Sequence, residues 1–164
     1  MNYFQNNYEI FVKKEKDIKA ELFAKCEEYV NNKINSAQEA IDNAQKSANT
    51  ETKSSAGDKY ETGRSMMQLE ILKYSAQLNE GFNLKKVLKK IDYSKPYEKI
   101  QTGSLVRTNN GNFFIAISAG KFIVDKEEFM TISFSSLLAQ VLHNKQVNDK
   151  VYFRKKEYFI KSII

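Results

Sequence analysis

Between Lys13 and Ala56 the chain has no glycine and no proline, and its residues are mostly Ala, Glu, Lys, Gln, Asn and Ile. A run of that length without breakers predicts a helix. Within it, Val30, Ile34, Ala37, Ile41, Ala44 and Ala48 recur at alternating steps of four and three, and Ile18, Leu22 and Cys26 carry the same face upstream. This narrow heptad seam has the pattern of a coiled coil. Beyond the first glycine, Gly57, the spacing returns at Met67, Ile71, Tyr74 and Leu78, and after Gly81 it resumes at Leu84, Leu88 and Ile91. A second helix is therefore expected to run to about Asp92. Two seams joined by a short polar link bury against each other, which predicts a long antiparallel helical hairpin. A first helix of about 40 residues would span roughly 50–60 Å. The seam thins to Ala44 and Ala48 before the polar run Asn49 to Thr52, so the far end, near residues 53–62, is expected to be slender and weakly held by burial.

Past Asp92 the period changes from that of a helix to that of strands. The only proline, Pro96, is followed by Leu105–Thr108 and Phe113–Ser118, rich in β-branched and aromatic residues on either side of an Asn110-Gly111 turn signal. Further strand-like runs lie at 121–124, 129–134, 150–154 and 157–164. Between them Ser135 or Ser136 can cap a short helix that shows Leu137, Leu138, Val141 and Leu142 on one side. The expected fold class is thus α+β: a tail and coiled-coil hairpin over 1–92, a linker over 93–102, and a small, mostly antiparallel β domain with one short helix over 103–164.

Composition adds limits rather than elements. An apolar content of 41% excludes wholesale disorder. The net charge of +6 favours partners with acidic surfaces but is spread along the chain: residues 1–96 carry 16 basic against 14 acidic side chains, and residues 97–164 carry 10 against 6. Cys26, the single cysteine, excludes an intramolecular disulfide and points to a reducing, cytoplasmic setting, and its apolar helical position reads as a small buried side chain. No apolar run approaches the ~18 residues of a membrane span, and the first residues lack the pattern of a secretory leader.

Conventional catalytic sets are nearly missing. His143 is the only histidine and reads as a helix-terminal residue, no Cys/His group has zinc spacing, and the glycines form no phosphate-binding loop. The acidic feature with a special address is Asp58 with Glu61, three residues apart at the expected start of the second helix. D-x-x-E at a helix start is a capping box. The same two carboxylates, set at the end of a long hairpin, could also offer hard oxygen ligands to a magnesium ion. Both readings stand at the level of sequence.

"GDKYET", Gly57 to Thr62, resembles the G-D-x-x-E-N tip motif of the bacterial Gre transcript-cleavage factors. "TGSLVRT" at 102–108 is similar to the strand that opens the Gre C-terminal domain. "ISFSSLLAQVLHNKQVNDKVYF" at 132–153 resembles the family's I-S-P-x-S-P-L-G-x-A-L-x-G-K-x-x-G-D-x-V segment, with Ile132, Ser133, Ser136, Leu138, Leu142, Lys145, Asp149 and Val151 holding the frame. Phe134 and Leu137 stand where that segment has prolines, and Ala139, Asn144 and Asn148 where it has glycines. At the tip, Thr62, Gly63, Arg64 and Ser65 replace the usual asparagine and A-E-Y. The likeness extends from about residue 17 to the end and is that of a divergent branch.

The resemblance implies a coiled-coil hairpin followed by an FKBP-like domain. It implies a monomeric factor that docks on RNA polymerase through Ser133, Ser136 and Leu138, inserts its hairpin into the secondary channel, and brings Asp58 and Glu61 to the active-site Mg2+. Such a factor is not itself an enzyme: it activates the polymerase's own hydrolysis of backtracked RNA, and it needs no small-molecule substrate and no membrane. Lys53, Lys59 and Arg64 would steer the RNA 3′ end, and Tyr60 could stack on a displaced base, although each also reads as an ordinary exposed residue. Two other readings stay open: a secondary-channel regulator without cleavage, and a coiled-coil adaptor or chaperone unrelated to transcription.

Overall fold

The computed structural model describes the backbone of residues 3–51 and 57–164 and the side chains of residues 10–47 and 62–164. Two long helices come first, α1 (Tyr3–Glu51) and α2 (Gly57–Leu88), followed by six strands and one short helix: β1 (Leu105–Thr108), β2 (Gly111–Ala116), β3 (Gly120–Val124), β4 (Glu127–Ser133), α3 (Leu137–Leu142), β5 (Lys150–Phe153) and β6 (Lys156–Ile163). The architecture is α+β, with a long helical region preceding a six-stranded, mostly antiparallel sheet. Among the described residues no helix is long and apolar enough to cross a membrane.

The helices differ from expectation at their ends. α1 begins ten residues upstream of Lys13, because nothing between Tyr3 and Lys13 breaks a helix. α2 stops at Leu88 rather than near Asp92. There the chain tightens through main-chain bonds from Lys90 N to Val87 O and from Ile91 N to Leu88 O, and the Asp92 carboxylate accepts from both Ser94 N and Ser94 Oγ. That Asx turn competes with continued helix.

The chain divides into two compact units, residues 28–86 and residues 1–27 with 87–164. In the first, Val30, Ala37, Ile41 and Ala44 of the α1 seam are buried, whereas Met67, Ile71, Tyr74 and Leu78 of α2 are half-buried. Lys33 pairs with Glu80 at 2.8 Å and Lys85 donates to Asn31 at 3.0 Å. Gly81 lies so close to Ile34 that an added Cβ would stand 2.7 Å from Ile34 Cγ1. The missing side chain is what allows this approach, and it offsets the low helix propensity of glycine at that position.

In the second unit the sheet order is β3-β4-β2-β1-β6-β5. All neighbours run antiparallel except β2 and β4, which pair in parallel with Phe114 opposite Thr131. The first hairpin turns on Asn109 and Asn110, since Thr108 already pairs with Gly111. One face of the sheet carries a core of Val106, Phe113, Ile115, Val151, Tyr158 and Ile160, closed by Ala139 and Leu142 of α3 and by Ile100. Ser136 caps α3 by accepting from Ala139 N. The expected apolar side of that helix needs correction: Leu137 is 61% exposed and Val141 is also exposed, while Ala139 and Leu142 face inward with Leu138 packed at the margin. One and a half turns present too narrow a stripe to bury four residues.

The opposite face of the sheet holds Leu105, Phe114 and Phe129, all fully buried, together with Arg107. Arg107 bonds Glu15 of α1, so the buried side chains Ile18, Leu22, Phe23 and Cys26 belong to the same unit as the strands. Phe23 also meets Tyr93, with ring centroids 4.7 Å apart.

Gly103, which leads into β1, adopts φ +97° and donates to Ile115 O. A Cβ there would stand 2.7 Å from the Tyr97 hydroxyl and 3.2 Å from Ile91 Cγ2. Gly103→Ala should therefore cost about 1–3 kcal/mol, read as a lower urea midpoint with unchanged slope.

Candidate functional site

The backbone places Gly57, Asp58, Lys59, Tyr60 and Glu61 in the first turns of α2, six residues after the last residue of α1. The helix start predicted for the acidic pair is thus present. Lys53 and the side chains of Ala48, Asp58, Lys59, Tyr60 and Glu61 lie outside the described residues. Arg64, on the second turn of α2, is exposed. On an α-helix, positions three apart are neighbours on one face.

The three residues assigned to docking sit around the β4–α3 connection. Ser133 ends β4, where its N–H donates to Ser118 Oγ at 3.1 Å and its hydroxyl accepts from Ser135 N at 3.2 Å. Ser136 is the cap of α3, and Leu138 packs against the core margin. Nearby, Phe134 is 38% exposed and meets the His143 ring edge-on at 4.8 Å. His143 closes α3, as its position in the sequence implies, and its Nδ1 lies 3.2 Å from Ile100 O.

Cys26 is fully buried, and desolvation pushes its thiol pKa up to about 12. A thiol so placed favours its protonated form, in keeping with a small buried side chain. Lys85, Lys86, Lys89 and Lys90 are exposed on the α2 end and the turn after it. Among the described residues, no three His, Cys, Asp or Glu side chains gather where they could hold a metal ion.

Two charged clusters were not read from the sequence. Glu15, with its side chain only 2% exposed, accepts from Arg107 Nε at 3.0 and 2.9 Å and pairs with Nη2 at 2.8 Å; Nη1 of the same guanidinium is bonded to Glu127. The guanidinium also lies over the Phe129 ring, 5.1 Å from its centroid. Lys19, fully buried, donates from Nζ to Lys95 O at 2.7 Å and Ile164 O at 3.1 Å, and sits 4.4 Å from the centre of the Tyr97 ring. Burial lowers its pKa to about 8, although Asp92 acts in the opposite sense. A signal for both exists in hindsight: Glu15, Lys19, Leu22 and Cys26 continue the apolar seam at its own spacing, so the two charges fall on a face that must be buried.

No protein-family model matches the chain, and no curated protein is significantly similar to it.

Proposed function

We propose that this protein is a Gre-like transcription elongation factor: an antiparallel coiled-coil hairpin that enters the secondary channel of RNA polymerase, and an FKBP-like domain that docks at the channel rim. The observation that carries the reading is the address of Asp58 and Glu61, in the opening turns of the second of two long helices, inside a G-D-x-x-E sequence. The pairs Asn31–Lys85 and Ile34–Gly81, in which numbers rise along one helix and fall along the other, support a hairpin. The β-rich unit adds support of its own. Asn144 and Asn148, which stand where the Gre segment has glycines, adopt φ +60° and +73°. Asparagine is the side chain that best tolerates this left-handed region, so the turn that glycine would make is kept.

The donor set fits magnesium, which takes carboxylate oxygens while keeping several waters. Two carboxylates alone leave an octahedral ion incomplete, so the ion is one shared with the polymerase's own carboxylates. When bound, it supplies the second metal of a two-metal phosphodiester hydrolysis. This chain's contribution is to carry Asp58 and Glu61 to that position. Lys53, Lys59 and Arg64 offset the repulsion between two acidic groups and guide the RNA 3′ end, and Tyr60 offers a ring to a displaced base. The protein is then an activator of hydrolysis by its partner, acting as a monomer in the cytoplasm.

The test uses stalled elongation complexes of the polymerase from the same cells. Addition of the protein should shorten the RNA in a magnesium-dependent way. Asp58→Ala and Glu61→Ala should each return cleavage to the rate of polymerase alone while co-sedimentation with polymerase persists. Full cleavage by both variants would sink the tip assignment. Thr62, Gly63, Arg64 and Ser65, which depart from the family after Glu61, favour one second reading: a channel-occupying regulator that alters initiation or pausing. Polymerase binding without RNA shortening would select it, and absence of polymerase subunits from a lysate pull-down would point instead to an adaptor or chaperone.

A further inference from the structure

The β5–β6 hairpin has no role in the proposed function, yet its outward face and turn carry a distinctive chemistry. Lys150 pairs across the strands with Phe159, and Tyr152 with Glu157, so these four side chains share one face, while Val151, Tyr158 and Ile160 point into the core. Tyr152 is 70% exposed and Phe159 is partly exposed. Exposed Lys161 follows at the point where β6 shifts register against β1. Residues 150–161 contain five cationic side chains against one carboxylate.

That carboxylate is occupied. Glu157 accepts the Tyr152 hydroxyl hydrogen bond and lies 3.4 Å from Lys150 Nζ. The first contact fixes the tyrosine ring, so its exposed face is presented without the loss of rotamer freedom that would otherwise oppose stacking. The hairpin is also braced from outside: Asn109 and Asn110 both donate to Glu157 O, and Asn109 Oδ1 accepts from Phe159 N.

The turn is made of Arg154 and Lys155 at φ +48° and +64°. Two-residue hairpin turns with both central residues left-handed favour Asn-Gly. Each side-chain-bearing residue there is disfavoured. Here the disfavoured positions hold two adjacent cations at the tip of the hairpin, an arrangement that local folding does not reward. The β3–β4 turn, Asp125 and Lys126 at φ +49° and +65°, has the same backbone, so it is the pair of adjacent cations that sets the β5–β6 turn apart.

We propose that this hairpin is a binding surface for single-stranded nucleic acid, in which Tyr152 and Phe159 stack on bases and Lys150, Arg154, Lys155 and Lys161 track the phosphates. Aromatic rings interleaved with cations on exposed strands suit this ligand, because every base has a stacking face and the backbone repeats its charge. The inference does not depend on the tip carboxylates or on polymerase binding.

The test is fluorescence anisotropy with labelled oligo(U) and oligo(dT) of about 12 nucleotides, and a duplex of the same length, in roughly 50 mM salt. Both single strands should bind saturably and more tightly than the duplex, with preference between them showing whether RNA or DNA is the ligand. Tyr152→Leu should weaken binding about tenfold. Arg154→Asn with Lys155→Gly should also weaken it about tenfold and flatten its salt dependence, while the protein melts at a higher temperature because the turn is relieved. Improved folding with lost binding separates a contact role from a structural one. Absence of saturable binding, equal affinity for the duplex, or wild-type affinity in Tyr152→Leu would each overturn the proposal.

Discussion

Arg107→Ala should destabilise the unit formed by residues 1–27 and 87–164 by about 3–5 kcal/mol, seen as a large fall in its urea midpoint. The reason lies in Glu15. Its carboxylate is almost fully buried and receives both its close cationic contacts from one guanidinium. Removing the arginine leaves an anion in a low-dielectric setting with nothing to repay its lost hydration. Arg107→Lys should fail to rescue, since a single ammonium cannot bond Glu15 through two nitrogens while keeping Glu127 on its other side. Replacing both members, Glu15→Leu with Arg107→Met, should restore most of the stability, because an apolar pair of similar volume carries no desolvation cost. If the double variant is as unstable as Arg107→Ala alone, the loss comes from packing against Phe129 rather than from the uncompensated charge. By contrast, the Lys14–Asp125 pair is half-exposed on both sides and should tolerate neutralisation.

Lys19→Met should cost about 2–4 kcal/mol at neutral pH, and the deficit should grow as pH rises from about 8 towards 10.5. The substitution keeps most of the stem but removes the donors to Lys95 O and Ile164 O. The pH dependence follows from the lowered pKa. In the folded chain Lys19 gives up its proton near pH 8, whereas the unfolded chain holds it up to the ordinary 10.5. Between those values the unfolded state binds the extra proton, so raising the pH favours the fold. The neutral amine keeps two N–H groups, enough for both carbonyls, and sheds the desolvation cost of the ammonium. Wild type should therefore gain stability relative to Lys19→Met across that window, measured by urea unfolding at a series of pH values. A difference that is flat from pH 8 to 10 would show that the two carbonyls and the Tyr97 ring hold the charged form as well as water does.

Much of the chain was legible in one dimension. The apolar seam from Ile18 to Ala44 marks buried positions except at Ile34, which is half-buried, and the strand-like runs at 105–108, 121–124 and 150–154 lie on β1, β3 and β5. Ser136 caps the short helix as its place before Leu137 implies. Where the reading slipped, a competing local force explains it: the Asp92–Ser94 turn shortened α2, and the six residues of α3 bury fewer side chains than their apolar content suggests. The candidate site was legible only as an address, the opening of α2, because in the proposed function its chemistry is completed by another molecule.

The sequence by itself determined element type and order, because period, caps and turn residues act over a few positions. Tertiary structure alone decided that the first 27 residues join the β-rich part, that β2 lies parallel beside β4 in the sheet, and that Glu15 and Lys19 are buried. Glu15 meets Arg107 across 92 residues, and Lys19 meets Ile164 across 145. Partners so far apart are chosen by the free energy of the assembled core, where a buried charge is tolerated only beside the group that satisfies it. No local pattern encodes that pairing.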